Sequence, residues 1–188
     1  MENKDYFAVL SKKAVQQKLF DIIHAPEHDK SSKCAAMVVL SKYIYQFKNG
    51  KEDNDSDKGA DDDDDIIIQN ESENEEDKGG DSKDKAFFDV LASHVEPMKT
   101  ILKSQVDAEY LSSLNSETYR PLGILRMRAV ELLNQIIKVN QPVIFDAFKR
   151  SNIMAVLMEL CEMHVWQNLM HIKIHEMWDC IFRSAIQP

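Results

Sequence analysis

Apolar residues recur along this chain every three or four positions, which is the spacing of helices that bury one face. The alternation of apolar and polar residues that predicts β-strands is almost absent. Buried helix faces are predicted at Val15, Leu19, Ile22 and Ile23, at Met37, Leu40, Ile44 and Phe47, at Phe87, Leu91, Val95, Met98 and Leu102, and at Met170, Ile174, Met177, Trp178 and Ile181. The pattern therefore predicts an all-α fold.

Prolines mark the ends of these helical patterns. Four of the five prolines fall where one pattern stops and the next begins, namely Pro26, Pro97, Pro121 and Pro142. Pro97 is predicted to be the first residue of a short helix. Side chains suited to cap a helix N-terminus precede two further patterns: Ser31 or Ser32, and Ser151 or Asn152.

The stretch from about residue 122 to 139 predicts the most completely buried helix. Its main apolar stripe is Leu125, Ala129, Leu132, Leu133 and Ile136, and the stripe is widened by Ile124, Met127, Val130 and Ile137. Only a narrow polar strip is left, formed by Arg128, Glu131, Gln135 and Lys138. Such a helix is covered on most sides. Repeated pairing of helices with short connections favours an α-solenoid of HEAT/armadillo-like helix pairs over a bundle.

Residues 49–85 interrupt the helical pattern. They hold 16 of the 32 acidic residues but only 5 of the 23 basic residues, so the rest of the chain is close to neutral. Their apolar residues are too few to offset the entropy lost on ordering. We predict a disordered acidic insertion at 49–85, between an N-terminal helical pair at 5–48 and a helical-repeat region at 86–185.

Two interpretations of the acidic insertion are open. In the first it is a solvated loop without a partner. In the second, residues 61–69 bind another protein. Their five aspartates and three isoleucines resemble a SUMO-interacting motif, in which such a segment adds a strand to the edge of the partner's sheet.

Composition excludes several classes of protein. A near-neutral body beside an acidic segment does not attract nucleic acid, whose phosphates require clustered Lys and Arg. No apolar run approaches the roughly 18 residues that span a bilayer. Cys34, Cys161 and Cys180 are an odd, widely spaced set that fits reduced thiols. The sequence thus predicts a cytoplasmic or nuclear protein with no nucleic-acid partner and no membrane partner.

Signatures of catalysis and of cofactor binding are missing from the sequence. Gly123 is the only glycine outside 49–85, so there is no glycine-rich phosphate loop, and no motif marks a nucleophile. Cys161, His164, His171 and His175 form one stripe if their helix is unbroken, and zinc accepts such ligands. Ligands in a row on one straight helix cannot surround an ion tetrahedrally. We therefore favour histidines satisfied at a helix–helix seam, and predict no metal, no cofactor and no enzymatic activity.

Trp166 follows a helical pattern and precedes Asn168, with which the next pattern begins. In one interpretation the indole ring closes the apolar end of a helix pair while the amide of Asn168 caps the next helix. In the other, Trp166 or a neighbour anchors a partner, as exposed aromatic residues do at protein interfaces.

A family resemblance is carried by these same residues. The segment Pro121-Leu-Gly123, Arg126 and the apolar run that follows resembles the SAPS-domain proteins, which are regulatory subunits of serine/threonine protein phosphatase 6. The resemblance continues through Asn140, Leu157, Leu160, Trp166, Asn168, Leu169 and His171, and more distantly includes 19–26 and 88–103. Gln167 stands where the family usually has a second Asn. The chain ends at Pro188, before a full domain of this kind would, so we expect a fragment or a reduced member.

The resemblance implies a non-catalytic scaffold that binds a protein phosphatase 6-type catalytic subunit, together with other regulatory proteins, and directs the phosphatase to substrates. The partner-binding residues predicted on this basis are Arg126, Arg128, Trp166, Asn168 and His171. Two alternatives stay open: a helical-repeat adaptor that does not bind a phosphatase, and a Cys/His metal-binding protein.

Overall fold

The computed structural model describes the backbone of residues 3–55, 78–104, 111–112, 118–119 and 121–186. The helices in these ranges are α1 (Asn3–Leu10), α2 (Lys13–His24), α3 (Lys30–Asp55), α4 (Lys78–Ser93), α5 (Met98–Lys103), α6 (Ile124–Ile137), α7 (Pro142–Ser151), α8 (Ile153–Met163) and α9 (Asn168–Ile186). Two strands of two residues each, β1 (Leu111–Ser112) and β2 (Thr118–Tyr119), pair antiparallel between α5 and α6. The predicted all-α class is confirmed.

Helix boundaries at the N-terminal side differ from the prediction. Three helices lie where a helical pair was predicted, because Lys12 adopts an extended conformation between α1 and α2 (φ −74°, ψ 122°). The buried Gln16 side chain donates to the carbonyl of Leu10, 3.0 Å away, and so satisfies a carbonyl at the end of α1. Pro97 is the N-cap residue of α5, one position from its predicted place.

The buried face of α2 is rotated relative to the predicted stripe. Phe20, Ile23 and Gln16 are buried, whereas Leu19 and Ile22 are only half-buried. The reason is tertiary: α2 packs against both α3 and α4, and the Phe20 ring stacks on His94, just after α4, with ring centroids 3.9 Å apart. Ile23 is buried as predicted, but the centre of the buried face is rotated from the predicted one by about a quarter of a helical turn.

Two predicted helix caps were also wrong. The Asp29 carboxylate, rather than Ser31 or Ser32, caps α3, since its Oδ1 accepts the backbone N–H of Ser32 at 2.8 Å. Asn152 lies in the left-handed region (φ 52°) between α7 and α8 and makes no side-chain capping bond. Asparagine tolerates this conformation better than most residues, so it suits a sharp reversal between two helices.

The predicted acidic insertion is helical at both of its ends. Helix α3 continues to Asp55 and α4 begins at Lys78, so parts of 49–85 extend the helices that flank it. A helix satisfies its backbone hydrogen bonds internally and can continue beyond the residues that pack on the core. Residues 56–77, including the isoleucine motif at 61–69, lie outside the described residues.

One hydrophobic core joins the helices on the two sides of the insertion. It contains buried residues of α2 to α9, and α6 lies at its centre. Helix α6 contacts α3, α5, α7 and α9, and its residues Leu132, Leu133 and Ile136 are fully buried. The prediction of a helix covered on most sides is confirmed. Ile124 is the exception, since it belongs to the predicted stripe but is 58% exposed in the first turn.

Contacts between helices follow a regular offset along the chain. Helix α3 packs against α6, α4 against α7, α5 against α8 and α6 against α9. Each of these helices therefore packs against the third helix after it in the chain. Within the ranges that the structure describes, no helix is long and apolar enough to cross a membrane.

Replacing Leu133 with alanine tests the central position of α6. We expect Leu133→Ala to lower the free energy of unfolding by roughly 2–5 kcal/mol, because it leaves a cavity in a fully buried site. Urea unfolding followed by circular dichroism measures the change. Ile124→Ala on the same helix is the control, with an expected change within about 0.5 kcal/mol. A loss below about 1 kcal/mol for Leu133→Ala would contradict the assigned packing.

Candidate protein-binding surface

Five large apolar side chains are exposed where α8 ends and α9 begins. Their exposed fractions range from 53% to 69%, and the residues are Met163, Val165, Trp166, Leu169 and Ile172. We call these five residues the turn surface. Single exposed apolar residues are common, whereas five within ten residues of the chain make this turn the candidate protein-binding surface.

The position of the turn surface follows from the helix that carries it. Met170, Ile174 and Met177 of α9 are buried against the core, as predicted. Leu169 and Ile172 point away from that buried face because each helical residue advances by about 100°. Trp166 lies in the turn of residues 164–167 that leads into α9, and it is 63% exposed.

The buried His164 makes hydrogen bonds that connect this turn to its neighbours. Its backbone carbonyl accepts two hydrogen bonds, one from the backbone N–H of Gln167 at 3.0 Å and one from Nε2 of His171 at 3.1 Å. Its buried imidazole Nε2 lies 3.4 Å from Nη1 of Arg126 and accepts from that guanidinium. His164 thereby ties the turn to α9 and to α6.

Arg126 extends the same network to α5. Its side chain is buried, and its Nη2 donates to the backbone carbonyl of Ser104, the C-cap residue of α5. Hydrogen bonds from a charged donor are stronger than those between neutral groups. Arg126 therefore links the turn of residues 164–167 to both α5 and α6.

The five predicted partner-binding residues do not form one surface. Trp166 and Asn168 are exposed at the turn, and the half-buried His171 lies under it. Arg126 is buried, so in this structure it supports the turn and does not reach a partner itself.

Arg128 lies apart from the turn. It pairs with Glu131 on α6 at 2.6 Å, and it is close enough to Cys34 of α3 to oppose the rise that burial causes in the pKa of that thiol. Two residues along a helix differ by about 200° in direction, which explains why Arg126 and Arg128 face different neighbours.

The exposure of Trp166 decides between its two interpretations. A ring that closed the apolar end of a helix pair would be mostly buried, whereas 63% of Trp166 faces solvent. The structural interpretation was wrong, and partner anchoring stays a prediction. Asn168 is the first residue of α9 and is exposed.

The proposed cluster of cysteine and histidine does not form a metal site in the described part of the chain. No group of three or more His, Cys, Asp or Glu side chains there is placed to hold a metal ion. His164 and His171 are hydrogen-bonded to each other between α8 and α9, as the favoured interpretation predicted, whereas His175 is exposed. The hydrogen bonds of His164 could not be predicted from the sequence, because its partner Arg126 is 38 residues away.

A carboxylate fixes α9, and with it the turn surface, on α6. Oε2 of Glu176 accepts hydrogen bonds from Asn134 Nδ2 at 2.7 Å and from Lys138 Nζ at 2.6 Å, and its Oε1 accepts from Lys173 Nζ at 3.0 Å. Burial acts to raise the pKa of Glu176, but these hydrogen bonds outweigh it and lower the pKa to about 2. Asn134 is fully buried, so Glu176 also supplies its amide with an acceptor.

Comparison with known proteins gave no match for this chain among protein-family models, among curated proteins or among solved structures.

The Glu176 network predicts a pH-dependent contribution to stability. The pKa of the Glu176 carboxyl is lower in the folded chain than its ordinary value of 4.5. The ionised carboxylate therefore contributes its full share to the free energy of unfolding above pH 4.5, and this share is lost as pH falls through about 2. At pH 7, Glu176→Gln should lower the free energy of unfolding by about 1–3 kcal/mol. Urea unfolding of both proteins between pH 7 and pH 2 measures how that difference shrinks.

The control for Glu176→Gln is Glu96→Gln, which removes an exposed pair between Glu96 and Lys99 within one turn. Exposed pairs contribute about 0–1 kcal/mol, so the control should differ little from the wild type at pH 7. A Glu176→Gln difference that is constant between pH 7 and pH 2 would contradict the assigned hydrogen bonds.

Proposed function

We propose that this chain is a non-catalytic scaffold that binds a serine/threonine phosphatase catalytic subunit of the protein phosphatase 6 type through the turn surface, and directs that enzyme to substrates. The observation that carries the proposal is the turn surface itself: five exposed apolar side chains held by the buried His164 and Arg126. The partner is inferred from the resemblance of residues 121–171 to SAPS-domain proteins.

The arrangement of helices supports a scaffold. In the proposal the helices form an α-solenoid of armadillo-like units of three helices, instead of the helix pairs predicted from the sequence, and each helix stacks on its counterpart in the next unit. The offset of three between contacting helices, from α3 to α6 and from α6 to α9, is what stacked three-helix units produce. Solenoids bind partners over extended surfaces and at exposed turns, which suits the position of Trp166.

The chemistry of the turn surface favours a protein partner over a small molecule. Its residues lie at a turn between two helices and are 53% to 69% exposed, whereas a small ligand needs a concave site that buries most of its surface. Trp is enriched among the residues that contribute most to protein interfaces, especially when neighbouring apolar groups exclude water around it. Leu169 and Met163, on either side of Trp166 in the chain, can do so.

Truncation of Trp166 tests the proposal. We expect Trp166→Ala to weaken binding to a purified protein phosphatase 6 catalytic subunit at least about 30-fold, since an aromatic anchor contributes about 2 kcal/mol or more. Isothermal titration calorimetry with the full chain measures the dissociation constant. Phe182→Ala is the matched control, because Phe182 is an exposed aromatic residue near the other end of α9.

Three results of this titration are informative. Loss of affinity in Trp166→Ala but not in Phe182→Ala supports the proposal. Equal affinity of Trp166→Ala and wild type would remove the turn surface as the contact. No binding by the wild-type chain would overturn phosphatase binding and leave an adaptor for other proteins.

A further inference from the structure

A second apolar region lies on the N-terminal helices, away from the turn surface. Helices α1 and α3 flank an open groove of about 720 Å³, to which α6 contributes one residue. Its lining includes Tyr6 and Phe7 of α1, Val39, Lys42 and Tyr45 of α3, and Gln135 of α6. A smaller cavity of about 310 Å³ shares Tyr6, Leu10 and Val39 with it. We call the two together the α1–α3 groove.

Three contacts link the helices on the two sides of the groove. The buried Gln16 of α2 donates from its amide to the Leu10 carbonyl at 3.0 Å, and its side chain also hydrogen-bonds to the hydroxyl of Tyr43 on α3. The ring centroid of Phe7 on α1 lies 5.7 Å from that of Tyr43. These contacts hold α1 next to α3, with the groove between them.

Both sides of the groove expose apolar surface to solvent. Tyr6 and Val9 on α1 are 70% and 49% exposed, and Val39 and Tyr45 on α3 are 38% and 56% exposed. Tyr6 and Val9 are three residues apart and share one face of α1. Val39 and Tyr45 are six residues apart, so they point about 120° apart around α3, and both line the groove. Exposed apolar side chains on two neighbouring helices are costly in water and offer a site for a further apolar element.

The surrounding backbone determines what kind of element fits. The groove lies between helices, whose backbone groups bond internally, so an extended peptide would find no strand edge to pair with. A helix brings its own backbone hydrogen bonds and offers apolar residues at i, i+3, i+4 and i+7 to such a groove.

The charge of the lining residues determines which charge the ligand should carry. Among the lining residues Lys42 is the only charged one, and Ser41, Gln46 and Gln135 are polar but neutral. A carboxylate on the ligand would meet Lys42, whereas a cation would be repelled. A second copy of this chain is a poor occupant, because a two-fold interface over the groove would bring the two copies of Lys42 toward each other.

We propose that the α1–α3 groove binds an amphipathic helix of a partner protein, with the apolar face of that helix on Val39 and Tyr6 and an acidic residue beside Lys42. This contact is separate from the turn surface and does not depend on phosphatase binding. A chain with both sites joins two proteins, one at the turn between α8 and α9 and one at α1 and α3.

Two fluorescent peptides of about 16 residues test the groove, both with leucines at i, i+3, i+4 and i+7. One carries glutamates beside the leucine face, and the matched peptide carries lysines at the same places. Fluorescence anisotropy with the full chain should show the glutamate peptide binding at least about tenfold more tightly than the lysine peptide. Lys42→Glu should reverse that preference.

Variants and a second method identify the occupant. Val39→Asp and Tyr45→Ala should each weaken the glutamate peptide at least about tenfold, with folding checked by circular dichroism, while Trp166→Ala should leave it unchanged. The proposal is overturned if the glutamate peptide does not bind, or if its affinity is unchanged by the substitutions of Val39, Tyr45 and Lys42. Sedimentation equilibrium that shows a dimer abolished by Val39→Asp also overturns it, in favour of a second copy.

Discussion

The structure depends on the burial of α6. Eight of its 14 residues are buried, including Asn134, so this helix is stable only when other helices cover it on nearly every side. Helices α3 and α9 cover two of those sides, and α5 and α7 cover others. Burial of the Asn134 amide demands a hydrogen-bond partner, which Glu176 on α9 provides at 2.7 Å. This hydrogen bond and the buried Met170, Ile174 and Met177 together determine how α9 lies against α6.

The apolar pattern was sufficient to predict α6 and the buried face of α9, because both depend on spacing within one helix. It was insufficient for α2, where Gln16 is buried on the strength of its bonds to Leu10 and to Tyr43 on another helix. The hydrogen bonds of His164 were missed for the same reason, since Arg126 reaches it from α6. A buried polar residue is determined by partners distant in sequence, and local periodicity holds no information about them.

The proposed scaffold has two surfaces of different construction. The turn surface consists of exposed side chains around Trp166, with a charge-assisted hydrogen bond between Arg126 and His164 next to it. The α1–α3 groove is a cavity between two helices with one cation, Lys42, among its lining residues. An exposed aromatic residue and a groove with one cation suit different partners. The hydrophobic core around α6 joins the helices that carry the two surfaces.

Hydrogen–deuterium exchange of the full chain, alone and with the phosphatase catalytic subunit, tests the central claim most directly. Peptic fragments that cover residues 163–172 should gain protection in the complex, because α9 begins within that stretch and its exposed face would be covered. Fragments of α6 should be strongly protected in both states, since the helix is buried in the core. Protection gained elsewhere with none at 163–172, or no gain at all, would contradict the account.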